Sequence, residues 1–243
     1  MTNAETLLDI NKKEQENIEK LIVAKPYEAF SKCIAFLDDL ELWISLCGLF
    51  SECPLVKEAR SQFISSIVLC AQGLYRPSIF ALRQFLEHML FSISLSTNDY
   101  KYRLWQCGQC DMSWAQLMDE TDGVFGKRFI RLYSKDLDDN RSIELYTIAK
   151  NVYRECSEFV HGNFEKLSSF TDEIEYDEKA LGCYLEYFSN IQFLICMALF
   201  IRFRYILNDK ENLRILEPIL ADQLGTLQEI QMILSENEDE CHE

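Results

Sequence analysis

The chain has 243 residues, enough for one large domain or a domain with appended helices, and 48% of them are hydrophobic, which supplies a sizeable core. Forty acidic residues against 24 basic ones give a net charge of −16, which excludes a general electrostatic binder of nucleic acid, because phosphate binding depends on Lys and Arg. Eight glycines and four prolines punctuate the chain sparsely, so its elements should be long and its fold class all-α.

Thr2 to Ala24 reads as a first helix, with Leu7, Leu8, Ile10, Ile18, Leu21 and Ile22 at loosely helical spacing. Pro26 then suits the first turn of a second helix reaching to about Gly48. A third helix follows Pro54 and runs to about Gln72. Gly73 to Pro77 makes a short break before a strongly apolar fourth helix, Ser78 to Ser96, and so short a link predicts an antiparallel hairpin. Residues 97–138 are less regular and read as an insertion with short helices at Met112–Glu120 and Gly123–Tyr133. Arg141 to His161 is a further helix, and Gly162 to Asp177 a loop with an acidic part. A long apolar helix runs from Glu178 to about Leu207. A last helical stretch spans Glu211 to Leu234, with a break or kink expected at Pro218 and a disordered acidic tail behind it. The organisation read from this is N-terminal helices over 1–52, a helical core over 53–208 with its insertion at 97–138, and a C-terminal helix with tail over 209–243.

The ten cysteines are spread widely and several lie inside apolar helical runs, so they read as reduced, small apolar fillers. Met1 to Lys20 is polar, without the apolar segment of a secretory leader, and the longest apolar run, Phe193 to Phe200, is far shorter than a bilayer needs. The expectation is a cytoplasmic protein without a membrane partner. Cys107 and Cys110 form a single C-x-x-C with no second pair and no suitably spaced histidine, so no metal and no cofactor is predicted.

The stretch Tyr153 to Asn163 closes its helix and carries His161, one of three histidines in the chain. Residues seven apart return to nearly the same helical face, so Arg154, Ser157 and His161 line up along two turns, and Gly162 offers a stop. Imidazole can move protons near neutral pH and guanidinium can hold phosphate oxygens, which together suit a metal-independent phosphate site. The plainer alternative is a histidine at a helix C-terminus and a surface arginine paired with Glu158 at i,i+4. Arg83 and Glu87 form a second polar pair inside the apolar fourth helix. They are either a buried ion pair completed through His161 or Tyr153, or a further phosphate ligand at the same cleft. Tyr100 to Trp105, with Lys127, Arg128 and Arg131, is the notable basic and aromatic cluster.

Arg154-x6-His161, with polar Glu155 directly after the arginine, resembles the signature of the HEPN superfamily, the higher eukaryotes and prokaryotes nucleotide-binding domain. Ala81-Leu82-Arg83-Gln84-Phe85-Leu86-Glu87 is similar to the Arg-Glu helix of bacterial HEPN-like proteins, and the resemblance covers about residues 55–205. It implies a HEPN-like helical bundle that forms a homodimer and cuts RNA without a metal in antiviral defence or toxin–antitoxin biology. Arg154, Glu155 and His161 would be the catalytic set, with Arg83, Ser157 and Asn163 binding substrate, and an antitoxin or defence-system protein as partner. Active members more often carry asparagine, aspartate or histidine after the arginine. The alternative the family offers is a non-catalytic module that binds a partner protein or nucleotide and regulates another effector.

Overall fold

The computed structural model describes residues 2–48, 50, 53–111, 113–160 and 174–240. The described residues form helices without any strand, and the all-α expectation holds. In chain order they are α1 (Asn3–Val23), α2 (Tyr27–Leu46), α3 (Pro54–Ala71), α4 (Tyr75–Leu95), α5 (Asp99–Gln106), α6 (Trp114–Leu117), α7 (Lys127–Tyr133), α8 (Asp139–Val160), α9 (Glu178–Phe203), a 3₁₀ segment at Arg204–Asn208, α10 (Lys210–Leu224) and α11 (Gln228–Glu240).

Four phenylalanines from four helices meet at the centre. Phe63 of α3 stacks on Phe85 of α4 at 4.6 Å and on Phe188 of α9 at 5.7 Å. Phe36 of α2 meets the edge of all three, at 5.7 to 6.5 Å. All four rings are buried, and each pair contributes about 0.5–1.5 kcal/mol beyond its buried area. α9 is the central helix: every residue from Leu194 to Ile201 is buried. It is long and apolar enough to cross a membrane, yet 67% of its most apolar window is covered by the protein itself, as expected of a core helix.

The α3–α4 hairpin turns on a Schellman motif, with Leu74 N–H donating to the Leu69 carbonyl at 2.8 Å and Gly73 N–H to that of Cys70 at 3.0 Å. Gly73 has φ +84°, and a β-carbon there would lie 2.7 Å from the Glu175 carbonyl oxygen and 2.8 Å from Asn17 Nδ2. The turn is thus wedged between α1 and the chain entering α9. Buried Asn17 donates to the Gln72 carbonyl at 3.0 Å, tying α1 down, and Asp177 N–H donates to the Tyr75 hydroxyl at 3.1 Å. Asp177 in turn caps α9 by accepting from Lys179 and Ala180 N–H.

Several boundaries differ from the sequence reading. α4 begins at Tyr75 rather than Ser78, because Pro77 falls in the first turn, where a missing N–H costs nothing. Asp99–Gln106 is a helix that apolar periodicity did not announce, started by Asn98 accepting from Lys101 N–H. Pro218 lies within α10, and the break comes later, at Gly225–Leu227. The acidic tail was expected to be disordered, but α11 runs on to Glu240. Ile230, buried in the core, with Ile233 and Leu234 packed against it, anchors the first turns of α11, and extending a formed helix costs far less than starting one.

Gly73→Ala should lower the unfolding free energy by at least about 2 kcal/mol, combining left-handed strain with the clash at Asn17 and Glu175. Urea unfolding followed by circular dichroism measures this, and an unchanged midpoint would contradict the wedge.

Candidate functional site

α8 buries Leu145, Ala149, Val152, Cys156 and Phe159, alternately four and three residues apart. That face packs on α4 and α9. The opposite face exposes Ile143, Thr147, Lys150, Asn151 and Arg154. The start of the helix is fixed by Arg131 of α7, which holds Asp139 through Nη2 at 2.7 and 2.9 Å, and by Ser142, which donates to the Phe125 carbonyl at 2.6 Å.

At the α4–α8 seam three groups form a closed circuit. Arg83 Nη2 donates to the Tyr153 hydroxyl at 2.5 Å, and that hydroxyl donates to Glu87 Oε1 at 2.9 Å. Arg83 and Glu87 also face each other directly at 3.4 Å, with side chains only 13% and 14% exposed. Such seclusion makes the charges interdependent, since a buried guanidinium without its carboxylate would cost several kcal/mol. The guanidinium carbon sits 4.5 Å from the centre of the Tyr153 ring, and Trp114 of α6 stacks on the same ring at 3.7 Å, nearly parallel. Burial, followed by the nearby Glu87 carboxylate, pushes the Tyr153 phenol above its ordinary range, so it stays protonated and can donate. Beside it on α4, burial holds the His88 imidazole below its ordinary range, against the opposing pull of Glu58 and Glu87.

The other candidates separate. Arg154 stands exposed and makes no ion pair with another described residue, so the expected pairing with Glu158 is not present. Glu155 turns the other way, towards Tyr187, whose phenol is pushed above its ordinary range by burial and by the nearby Glu155 carboxylate. Ser157 donates back along its own helix to the Tyr153 carbonyl at 2.6 Å. His161 and Asn163 lie outside the described residues.

Thus Arg83 and Tyr153 come together, while Arg154 faces outward and Glu155 turns towards Tyr187. Trp114 is the component the sequence did not disclose. Its only sequence signal is a large aromatic residue in an otherwise polar stretch, with nothing to link it to a helix 39 positions later. Among the described residues no cluster of His, Cys, Asp and Glu could hold a metal ion. The chain matches no family model, no curated protein and no solved structure.

If Glu87 chiefly neutralises Arg83, Glu87→Leu alone should destabilise by about 3 kcal/mol. Arg83→Met combined with Glu87→Leu should recover most of that loss. Urea titration of the three proteins decides, and a double variant weaker than the single one would contradict the pairing.

Proposed function

We propose that the protein is a HEPN-like, metal-independent RNA endonuclease that works as a homodimer, with Arg154 and His161 as its site. The observation that carries this reading is the state of Arg154. It is exposed on the outer face of α8, with no ion pair to a described residue, in a chain with a large excess of carboxylates. Lys150, one turn earlier on the same face, is also exposed, so the helix offers two cations at i,i+4 spacing. Guanidinium suits this task because its fork of N–H donors matches phosphate oxygens.

In this reading Arg154 binds the scissile phosphate and neutralises the charge that builds up on it. His161 takes the proton from the ribose 2′-hydroxyl, which attacks the adjacent phosphorus, and a protonated imidazole returns a proton to the leaving 5′-oxygen. The products would carry 2′,3′-cyclic phosphate and 5′-hydroxyl ends. Arg83 leaves the substrate set: Glu87 and Tyr153 already satisfy its charge, so it supports the helix that carries Arg154.

A second reading, a non-catalytic module that binds a partner protein or nucleotide, is favoured by the placement of Glu155. The polar position beside the arginine lies near Tyr187, where its charge raises the phenol pKa, rather than on the outer face with Arg154.

Cleavage of a tRNA-containing mixture in EDTA by the purified protein separates the two. The nuclease reading expects cyclic phosphate ends, and at least a hundredfold slower cleavage, roughly, for both Arg154→Ala and His161→Ala. Equal rates for wild type and both variants would overturn it and leave the binding module.

A further inference from the structure

Thirteen residues beyond Arg83, or about 20 Å along α4, a cavity of about 600 Å³ opens where the ends of α2, α4 and α9 meet α5. Its wall is mainly apolar, formed by Leu46, Phe50, Leu95, Tyr102, Phe203 and Tyr205. The size lies within the range of about 300–1,000 Å³ usual for small-molecule sites.

Among the described residues that line it, one is a cation. Arg202 donates from Nε to Ser96 Oγ and from Nη2 to the Ser96 carbonyl, both at 2.9 Å. Its guanidinium carbon also lies 4.7 Å from the ring centre of Tyr133 and 5.0 Å from that of Phe203. The group is therefore fixed from two sides. Both of its hydrogen-bond partners are neutral, and no carboxylate of a described residue pairs with it. The acid on the same cavity, Asp99, is bound to Arg103 Nε at 2.8 Å. The chain is rich in acids, yet this half-buried guanidinium on an oily wall has no carboxylate partner among the described residues. Nη1 makes no hydrogen bond to a described residue. The charge is felt inside the cavity, since Arg202 pulls the neighbouring Cys47 thiol down against the burial that raises it to about 12.

We propose that this cavity binds a small amphipathic monoanion, a medium-chain carboxylate, with its head group on Arg202 and its alkyl body against Phe50, Leu95 and Phe203. A single guanidinium with two of its nitrogens already engaged suits one carboxylate. Asp99, on the wall of the same cavity, disfavours a dianionic head group such as a phosphate monoester. The site is separate from Arg154 and independent of any nuclease activity.

Isothermal titration of the full chain with hexanoate, octanoate, decanoate and decanol tests this. Affinity should rise roughly tenfold from octanoate to decanoate as two methylenes leave water, and decanol should bind at least about tenfold more weakly than decanoate. Arg202→Gln should weaken decanoate at least about tenfold, and Leu46→Trp should block it by filling the cavity without altering charge. Because Arg202 also holds the end of α4, Leu46→Trp decides the matter if Arg202→Gln does not fold. No binding of decanoate below its micelle-forming range, decanol binding as tightly, or unchanged affinity in a folded variant would each overturn the assignment.

Discussion

A guanidinium cannot be held away from water on an apolar helix without its charge being answered, and that constraint organises the α4–α8 seam. Arg83 meets Glu87 one turn along its own helix and reaches Tyr153 across the seam, while Tyr153 returns a hydrogen bond to Glu87. Three side chains with limited alternatives in a dry place tolerate few rotations of α8. With Tyr153 turned inward, the next residue lies about 100° further round the helix. Arg154 consequently faces outward, and Glu155, another step on, reaches Tyr187 of α9. The fastened tyrosine and the apolar face of α8 thus agree on the orientation of the candidate residues it carries.

That seam rests on a body assembled from rings and close backbone approach. Phe36, Phe63, Phe85 and Phe188 bring α2, α3, α4 and α9 to one point. Behind α3 and α4, the glycine turn lets Asn17 and the Glu175 carbonyl approach more closely than a side chain would permit. The acidic excess is kept on the surface, in exposed pairs such as Arg103 with Asp99 and Arg131 with Asp139. Each of these contributes little on its own. Stability therefore comes from the interior, while the exposed charges shape what can approach.

Much of this was legible in the residues, for identifiable reasons. The 3.6-residue period placed α2, α3, α8 and α9 to within a few positions, because each presents a continuous apolar stripe to the core. A charged pair inside the apolar fourth helix announced a buried partnership, and Tyr153 was one of its two named candidates. α5 escaped because none of its residues is fully buried, so it has no stripe to read. No break falls at Pro218: the helix continues through it and ends at Leu224, with Gly225 as its cap. Trp114 and Arg202 escaped for a shared reason: each acquires its role from neighbours far away in sequence, Tyr153 in one case and Ser96 in the other. Periodicity reports which face of one helix is buried, not which distant side chain it will meet.

The contribution of this seam to the orientation of α8 depends on the coupling between Glu87 and Tyr153. A double-mutant cycle of Glu87→Ala and Tyr153→Phe, read by urea unfolding, measures that coupling directly. A hydrogen bond to a charged acceptor in so secluded a place should give an interaction energy of at least about 1 kcal/mol, with the double variant less unstable than the sum of the singles. Strict additivity would mean that the two side chains are neighbours without being partners, and that something other than this seam turns Arg154 outward.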